Sequence, residues 1–428
     1  MESAHPAALS ADAARPAGSQ RALVLVSVAE LLGMSLWFSG TMALPQLTSL
    51  WHTTLSVSAW LTMAVQLGFV CGALAAAVFN LPDIFHAPRL FAWSCVAAAI
   101  VNAAFAWVAA DHIWWALVLR FLTGAFLAGV YPVGMKILSG WFRDGRGTAL
   151  GILVGALTVG KALPYAVEGA GDLNWQAVVF TCSALALVAG AVVGFGVKDG
   201  PFAAPQPPVD FHQVGEIFRN RPLRLANFGY FGHMWELYSM WGWIALLLAG
   251  SAAESGRSDV SAVALASFAA IASGGIGCWW AGRVSDRVNH SPEASGRSRI
   301  AQRSRVTIVA MAVSGACCLL AALVYENFWL LAALCVIWGV AVVADSAQFS
   351  TIVSEVSDRR YVGTALALQT AIGFLLTVLS LHVIGVIGST WGWRWAAVAM
   401  APGPALGILA MLRLQLVPAR SGLDSARL

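Results

Sequence analysis

The sequence predicts an all-α membrane protein of twelve transmembrane helices, and three observations predict it. Of 428 residues, 59% are hydrophobic and 11% charged, with a mean hydropathy of +0.75; a soluble chain carries about 25% charged residues. The apolar residues fall in blocks of about 20, the length a helix needs to cross a hydrocarbon core roughly 30 Å thick. No run alternates apolar and polar residues over about ten positions, as a membrane barrel strand would, so the backbone is satisfied within helices.

Taken in order, the first six spans fall near residues 22–46, 57–79, 90–109, 113–138, 147–169 and 175–197. The other six fall near 225–250, 260–281, 306–324, 328–353, 361–387 and 393–414. Trp51, Trp114, Trp115, Trp175, Trp391 and Trp393 lie near span ends, where they read as interfacial anchors. The seven cysteines (Cys71, Cys95, Cys182, Cys278, Cys317, Cys318 and Cys335) all lie within spans without C-x-x-C spacing. Neither a metal site nor a disulfide framework is expected from them.

All but four of the 25 Lys and Arg lie at or near the chain ends and the even-numbered loops. By the positive-inside rule both termini are expected in the cytoplasm, and the chain is expected to be multi-pass in the plasma membrane. The net charge of +4 follows this topology and gives no reason to expect nucleic acid. Residues 1–20, rich in Ala, Pro and Ser, read as a tail and not as a cleaved signal.

The longest connection opens KDGPFAAPQPPVD, too rich in proline to be helical throughout. In the FHQVGEIF stretch that follows, Phe211, Val214, Ile217 and Phe218 suit a short amphipathic helix on the membrane surface. The expected organisation is a tail over 1–21, a six-helix bundle over 22–197, a linker over 198–224, a second bundle over 225–414 and a tail over 415–428. Two internal matches support a duplication. Glu30–Trp37 and Glu236–Trp243 share the pattern E-L-x-x-M-x-x-W in the first span of each half. GTAL opens span five at Gly147 and span eleven at Gly363.

GRVSDR at Gly282–Arg287, RFLTGAFLAG at Arg120–Gly129 and WFRDGRGTALG at Trp141–Gly151 resemble motifs of the major facilitator superfamily of secondary transporters. NLPDIFHAPR at Asn80–Arg89 is a degenerate first-half copy of the loop motif; it keeps Asp83. The resemblance covers essentially the whole chain. It implies two six-helix bundles around a central site, with substrate bound between them near the midplane. It also implies that Asp83, Asp286, Arg287, Arg359 and Arg360 act as gate residues, and that Arg120 is tied to proton coupling. Spans two and eight lack the arginines of nitrate porters, and GALTVGKALP at Gly155–Pro164 matches the antiporter motif only loosely.

An ionisable side chain at mid-bilayer costs at least about 2.5 kcal/mol, so each needs a partner, a cavity or a function. Glu30, Met34 and Trp37 are spaced i, i+4, i+7, and Glu236, Met240 and Trp243 repeat that face. A poorly solvated carboxylate in a cavity can exchange protons near neutral pH. His233, three residues before Glu236, extends the set. Asp345, followed by Gln348 at i+3, makes a further polar patch in span ten. Glu30, Glu236, His233 and Asp345 are therefore candidate proton carriers. The bland alternative for each is a helix-packing contact.

Lys161 is the least expected charge, too deep in span five to snorkel comfortably. It reads as an anion clamp or a titrating group, or else as a partner of Glu30; Arg120 could equally pair with Glu30 and fix helices one and four. Lys161, Arg120, Trp37, Tyr165, Trp243 and Gln348 are the candidate substrate contacts. The lone His382 reads as a satisfied histidine rather than a ligand.

The first half supplies two intramembrane cations and the second half only anions. That asymmetry suits a proton-coupled carrier of a small organic anion or zwitterion, working as a monomer with no cofactor. The alternative is an exporter of lipophilic or cationic compounds, suggested by the Trp- and Met-rich faces. An enzyme is disfavoured: the chain has no H-E-x-x-H, no G-x-S-x-G with a fitting His/Asp set, and no P-loop for ATP.

Overall fold

The computed structural model describes residues 16–171, 173–203, 215, 219–289, 296–357 and 362–417. Among them all regular structure is helical. Eleven segments are long and apolar enough to cross a membrane. They are α1 (Ser19–Leu50), α2 (Leu55–Val78), α3 (Ala87–Val108), α4 (Ile113–Trp141), α5 (Arg146–Gly169), α6 (Trp175–Gly196), α8 (Val260–Val288), α9 (Ser298–Leu323), α10 (Phe328–Val356), α11 (Val362–Trp391) and α12 (Trp393–Gln415). A twelfth long helix, α7 (Arg221–Glu254), has 34 residues. At 1.5 Å per residue it is about 50 Å long, ample for a crossing.

Local chemistry sets several starts. Asn174, Asn220, Asp259 and Asn327 each accept a backbone N–H three residues on, capping α6, α7, α8 and α10. Other helices are interrupted. The first breaks at Ser35 and again at Ala43, and the fourth and tenth break near Gly129 and at Asp345. Such breaks leave carbonyls unbonded inside the bundle, which polar side chains must satisfy.

Close backbone approach fixes the crossings. A Cβ on Gly68 would fall on the Phe121 carbonyl and one on Gly124 on the Val65 carbonyl, so α2 and α4 meet backbone to backbone. The same crossing recurs between α8 and α10, where Gly339 faces the Ala270 carbonyl and Gly277 that of Val340. The first six and last six helices touch along α5 and α8, where Gly151 faces the Cys278 carbonyl and Gly282. They also touch along α2 and α11, where the Thr377 hydroxyl donates to Gln66 Oε1 at 3.0 Å.

The outer surface carries Trp93, Trp107, Trp114 and Phe195, exposed apolar groups that suit lipid contact. Trp114, Trp115 and Trp391 are exposed at helix ends as expected of anchors. Trp175 and Trp393 are corrections: Trp175 is buried against Phe105, and Trp393 stacks on Trp243. His382 is exposed on α11 rather than satisfied in the core. The amphipathic stretch of Phe211, Val214, Ile217 and Phe218 lies outside the described residues.

Candidate functional site

Lys161 stands at the centre of the interface between the two sets of six helices. It is 1% exposed, and its Nζ donates to the Tyr238 hydroxyl at 2.7 Å. The same ammonium lies 3.9 Å from the Trp37 ring centroid, 4.7 Å from Tyr238 and 4.9 Å from Trp241. Trp37 comes from α1 and the other two rings from α7, so one cation bridges both sets. Phe69 and Phe374 close the layer, 4.8 Å apart and each against Trp37. Cation–π contacts are worth roughly 2 kcal/mol when desolvated, which offsets part of the cost of burying the ammonium. Among the described residues no carboxylate lies within ion-pair distance of Lys161.

The break at Ser35 decides where Trp37 and Glu30 point. Ser35 Oγ donates back to the Leu32 carbonyl at 2.7 Å, and the helix restarts at Leu36. Glu30 and Trp37 lie on either side of this interruption and meet different surroundings, contrary to the shared setting that the spacing suggests. Trp37 meets the central rings. Glu30 is fully buried inside the first six helices, where its Oε2 would lie 2.9 Å from a Cβ placed on Gly134. Among the described residues neither carboxylate oxygen has a hydrogen-bond partner.

Arg120 does not pair with Glu30. Its guanidinium donates to the Leu36 carbonyl at 3.1 Å, the Trp37 carbonyl at 2.5 Å and Asn102 Oδ1 at 2.8 Å. It is a clamp on the interrupted turn of α1, and its reach is taken up there rather than offered to a substrate.

In the second half, Glu236 is sealed within its own bundle. Ser314 Oγ donates to Oε2 at 2.8 Å, and Trp338 Nε1 and Cys318 Sγ to Oε1 at 2.8 and 3.2 Å. The expectation that it faces a central cavity is corrected by these contacts. His233 Nδ1 sits 2.8 Å from Asp345 Oδ1, an ion-pair contact whose angle does not suit a hydrogen bond. The other ring nitrogen, Nε2, is 2.9 Å from Ser346 Oγ. Trp243 donates to the Leu381 carbonyl at 3.0 Å and packs within the second half. Gln348 accepts from Arg303 at 3.0 Å and donates to the Ala281 carbonyl at 3.2 Å, which removes it from the Lys161 layer.

At the end of the bundle that carries the loop motifs, Asp286 of α8 caps the start of α5. Its two oxygens accept the backbone N–H groups of Gly147 and Thr148, each at 2.8 Å, and the Thr148 hydroxyl at 2.6 Å. Asp83 differs from that pattern: it pairs with Lys136 of α4, within the first half. Arg287 ends α8 near this layer, and Arg359 and Arg360 lie outside the described residues. At the opposite end the two sets part around a cleft of about 350 Å³, whose walls include Thr41, Gln46, Tyr165, Glu168 and Arg257.

Two comparisons bear on this arrangement. Residues 24–300 match the profile of the Major Facilitator Superfamily. The chain belongs to the major facilitator superfamily. Among solved structures it is similar to a bacterial homologue of the human lysosomal transporter Spinster, in an inward-facing and unoccupied conformation. The TM-score is 0.65 at 15% identity, covering 94% of this chain and 100% of that one. No curated protein matches the sequence. As a member of the superfamily the chain is a multi-pass membrane protein and a secondary transporter that works by alternating access, not an enzyme.

Set in the superfamily fold, several residues matter that sequence reasoning passed over. Tyr238 holds Lys161 beside Trp241, a residue of the Trp- and Met-rich face, but one more aromatic in an aromatic-rich helix carried no signal. Arg303, fully buried, joins Ser285, Gln348 and Glu355 at the motif-loop end. It had been counted only as one more loop cation. Glu168 is the remaining one, a carboxylate one turn beyond Tyr165 on the wall of the cleft.

Proposed function

We propose that this transporter is a proton-coupled carrier of a small organic anion or zwitterion, working as a monomer in the plasma membrane. The observation that carries the reading is Lys161: a buried ammonium at the interface of the two halves, bound to rings and one hydroxyl but, among the described residues, to no carboxylate. A substrate carboxylate is the partner that this cation lacks. The motif-loop end is the cytoplasmic one by the positive-inside rule. Residues 22–197 and 225–414 are the two rocking units, with 198–224 linking them.

Glu30 supplies the coupling proton. Its carboxylate is buried, has no hydrogen-bond partner among the described residues, and neighbours Lys161 across the α1–α5 crossing, where Gly160 packs on the Leu31 carbonyl. When Glu30 is neutral, the Lys161 charge is uncompensated and attracts an anion; when Glu30 ionises, it competes for the same cation and favours release. His233 and Asp345 form a second buried proton-bearing pair, whose contact to Ser346 sits at the interruption of α10.

A second reading has its own observation. Three rings around an ammonium also make a site for a lipophilic cation, with Lys161 occupying that place in this state. Uptake by the purified protein in proteoliposomes, with an imposed pH gradient, separates the two. Uptake of small organic anions that Lys161→Ala abolishes, and that Glu30→Gln uncouples from the gradient, supports the proposal. Efflux of lipophilic cations that improves in Lys161→Ala would replace it with the second reading.

A further inference from the structure

One helix carries a cation, a ring and an anion in line. Lys161, Tyr165 and Glu168 of α5 are spaced i, i+4 and i+7, so they share a face, and seven residues advance about 10 Å along the axis. Lys161 is at the buried end, while Tyr165 and Glu168 line the cleft at the other. The cleft's volume of about 350 Å³ lies in the range of ligand pockets, about 300–1,000 Å³.

Glu168 has no work to do in holding the fold together. It is half-buried, and among the described residues it receives no hydrogen bond and forms no ion pair. It stands in the last turn of α5, where the free carbonyls add a negative potential that favours a cation. The other charged groups of the cleft are engaged. Asp259 caps α8 through the Ala262 N–H, and the Arg257 guanidinium lies over the rings of Trp329 and Phe328, at 5.1 and 5.9 Å.

We propose that Glu168 receives the ammonium group of the substrate, so that the substrate is a zwitterion, an amino carboxylate whose carboxylate goes to Lys161. This rests on the reading of Lys161 above and narrows it. The line of charges rejects as well as accepts. A simple carboxylate meets Glu168 first and is repelled; a simple amine passes Glu168 but meets Lys161. A zwitterion satisfies both, with its ammonium against Glu168 and Tyr165 and its carboxylate directed inward.

The test is ligand-induced thermal stabilisation of the full-length purified protein, with isothermal titration, on a matched set of 4-aminobutanoate, butanoate and butylamine. Glycine and 6-aminohexanoate vary the charge separation. Because Glu168 is half-exposed and unpartnered, Glu168→Gln is expected to fold as the parent does. Amino acids are expected to bind, with affinity at least tenfold weaker in Glu168→Gln and partly restored in Glu168→Asp. Butanoate should bind Glu168→Gln at least as well as it binds the parent.

Parent-like binding of the amino acids by Glu168→Gln overturns the assignment of Glu168. If their binding is still lost in Lys161→Ala, the reading of Lys161 survives that failure. Butanoate binding the parent as tightly as 4-aminobutanoate also overturns the proposal, as does no stabilisation by any of the five compounds. Binding of butylamine alone, lost in Glu168→Gln and untouched by Lys161→Ala, overturns both readings in favour of a cation carrier.

Discussion

Asp286 and Thr148 join the two halves of the transporter: Asp286 Oδ2 accepts both the backbone N–H and the hydroxyl of Thr148, at 2.8 and 2.6 Å. With the Gly147 N–H on Oδ1, a carboxylate of α8 caps a helix of the other half. Hydrogen bonds to a charged group contribute about 1.5–3 kcal/mol each. Losing even one bond at that strength shifts an open–closed equilibrium about tenfold.

Asp286→Ala is therefore expected to open the motif-loop end. Cys278 reports it, since it is buried beside Gly151 where α5 and α8 touch. In a protein whose other six cysteines are replaced, maleimide labelling of Cys278 should accelerate about tenfold or more on Asp286→Ala. An unchanged labelling rate would show that the Asp286 cap does not hold the two halves together.

The helices were legible because a bilayer imposes a length: each apolar block of about 20 residues became a helix. The loop motif was legible too, and its Asp286 meets the start of α5. What could not be read was the partner of each buried charge. Arg120 binds the Leu36 and Trp37 carbonyls, and a backbone acceptor carries no sequence signature. The i, i+4, i+7 rule holds along a continuous helix, so it could not place Glu30 relative to Trp37. In α7, which is continuous, the rule gave the face but not which neighbours would cover it, and Glu236 met Ser314, Cys318 and Trp338. Thr148 was noticed as a mark of duplication, while its function is to hold Asp286.

Glu30 and Glu236 occupy equivalent sequence positions but should respond oppositely to neutralisation. Three donors converge on Glu236. Glu236→Gln turns an amide N–H toward some of them and should cost about 1–3 kcal/mol. Among the described residues Glu30 accepts no hydrogen bond, so an amide of similar shape loses no partner there, and Glu30→Gln should cost less than Glu236→Gln or raise stability. Thermal unfolding of both variants in one detergent checks the contrast. Equal losses would mean that the partners of Glu30 are not those of this structure.

Arg120→Lys tests whether Arg120 is a clamp or a substrate contact. A lysine presents a point charge and cannot reach two carbonyls and Asn102 in a fork. Leaving such buried acceptors unpaired costs about 1–3 kcal/mol each. The variant is expected to unfold at lower temperature and accumulate poorly, while its folded fraction binds substrate within about threefold of the parent. Parent-like stability with weakened binding would return Arg120 to the substrate site.

Lys161→Met asks which effect dominates at the centre of the molecule. The ammonium gains roughly 2 kcal/mol from a desolvated cation–π contact and one hydrogen bond to Tyr238. Against that stands the desolvation of a buried charge, several kcal/mol even after relaxation, with no carboxylate in contact to offset it. Methionine fills a similar volume and makes its own contacts to rings, worth about 0.3–1.5 kcal/mol. The magnitudes favour the substitution, so Lys161→Met should unfold at an equal or higher temperature than the parent while transport of the anion is lost. A residue kept at a cost to stability is kept for what it binds; a marked fall in unfolding temperature would instead make Lys161 a structural bridge between the halves.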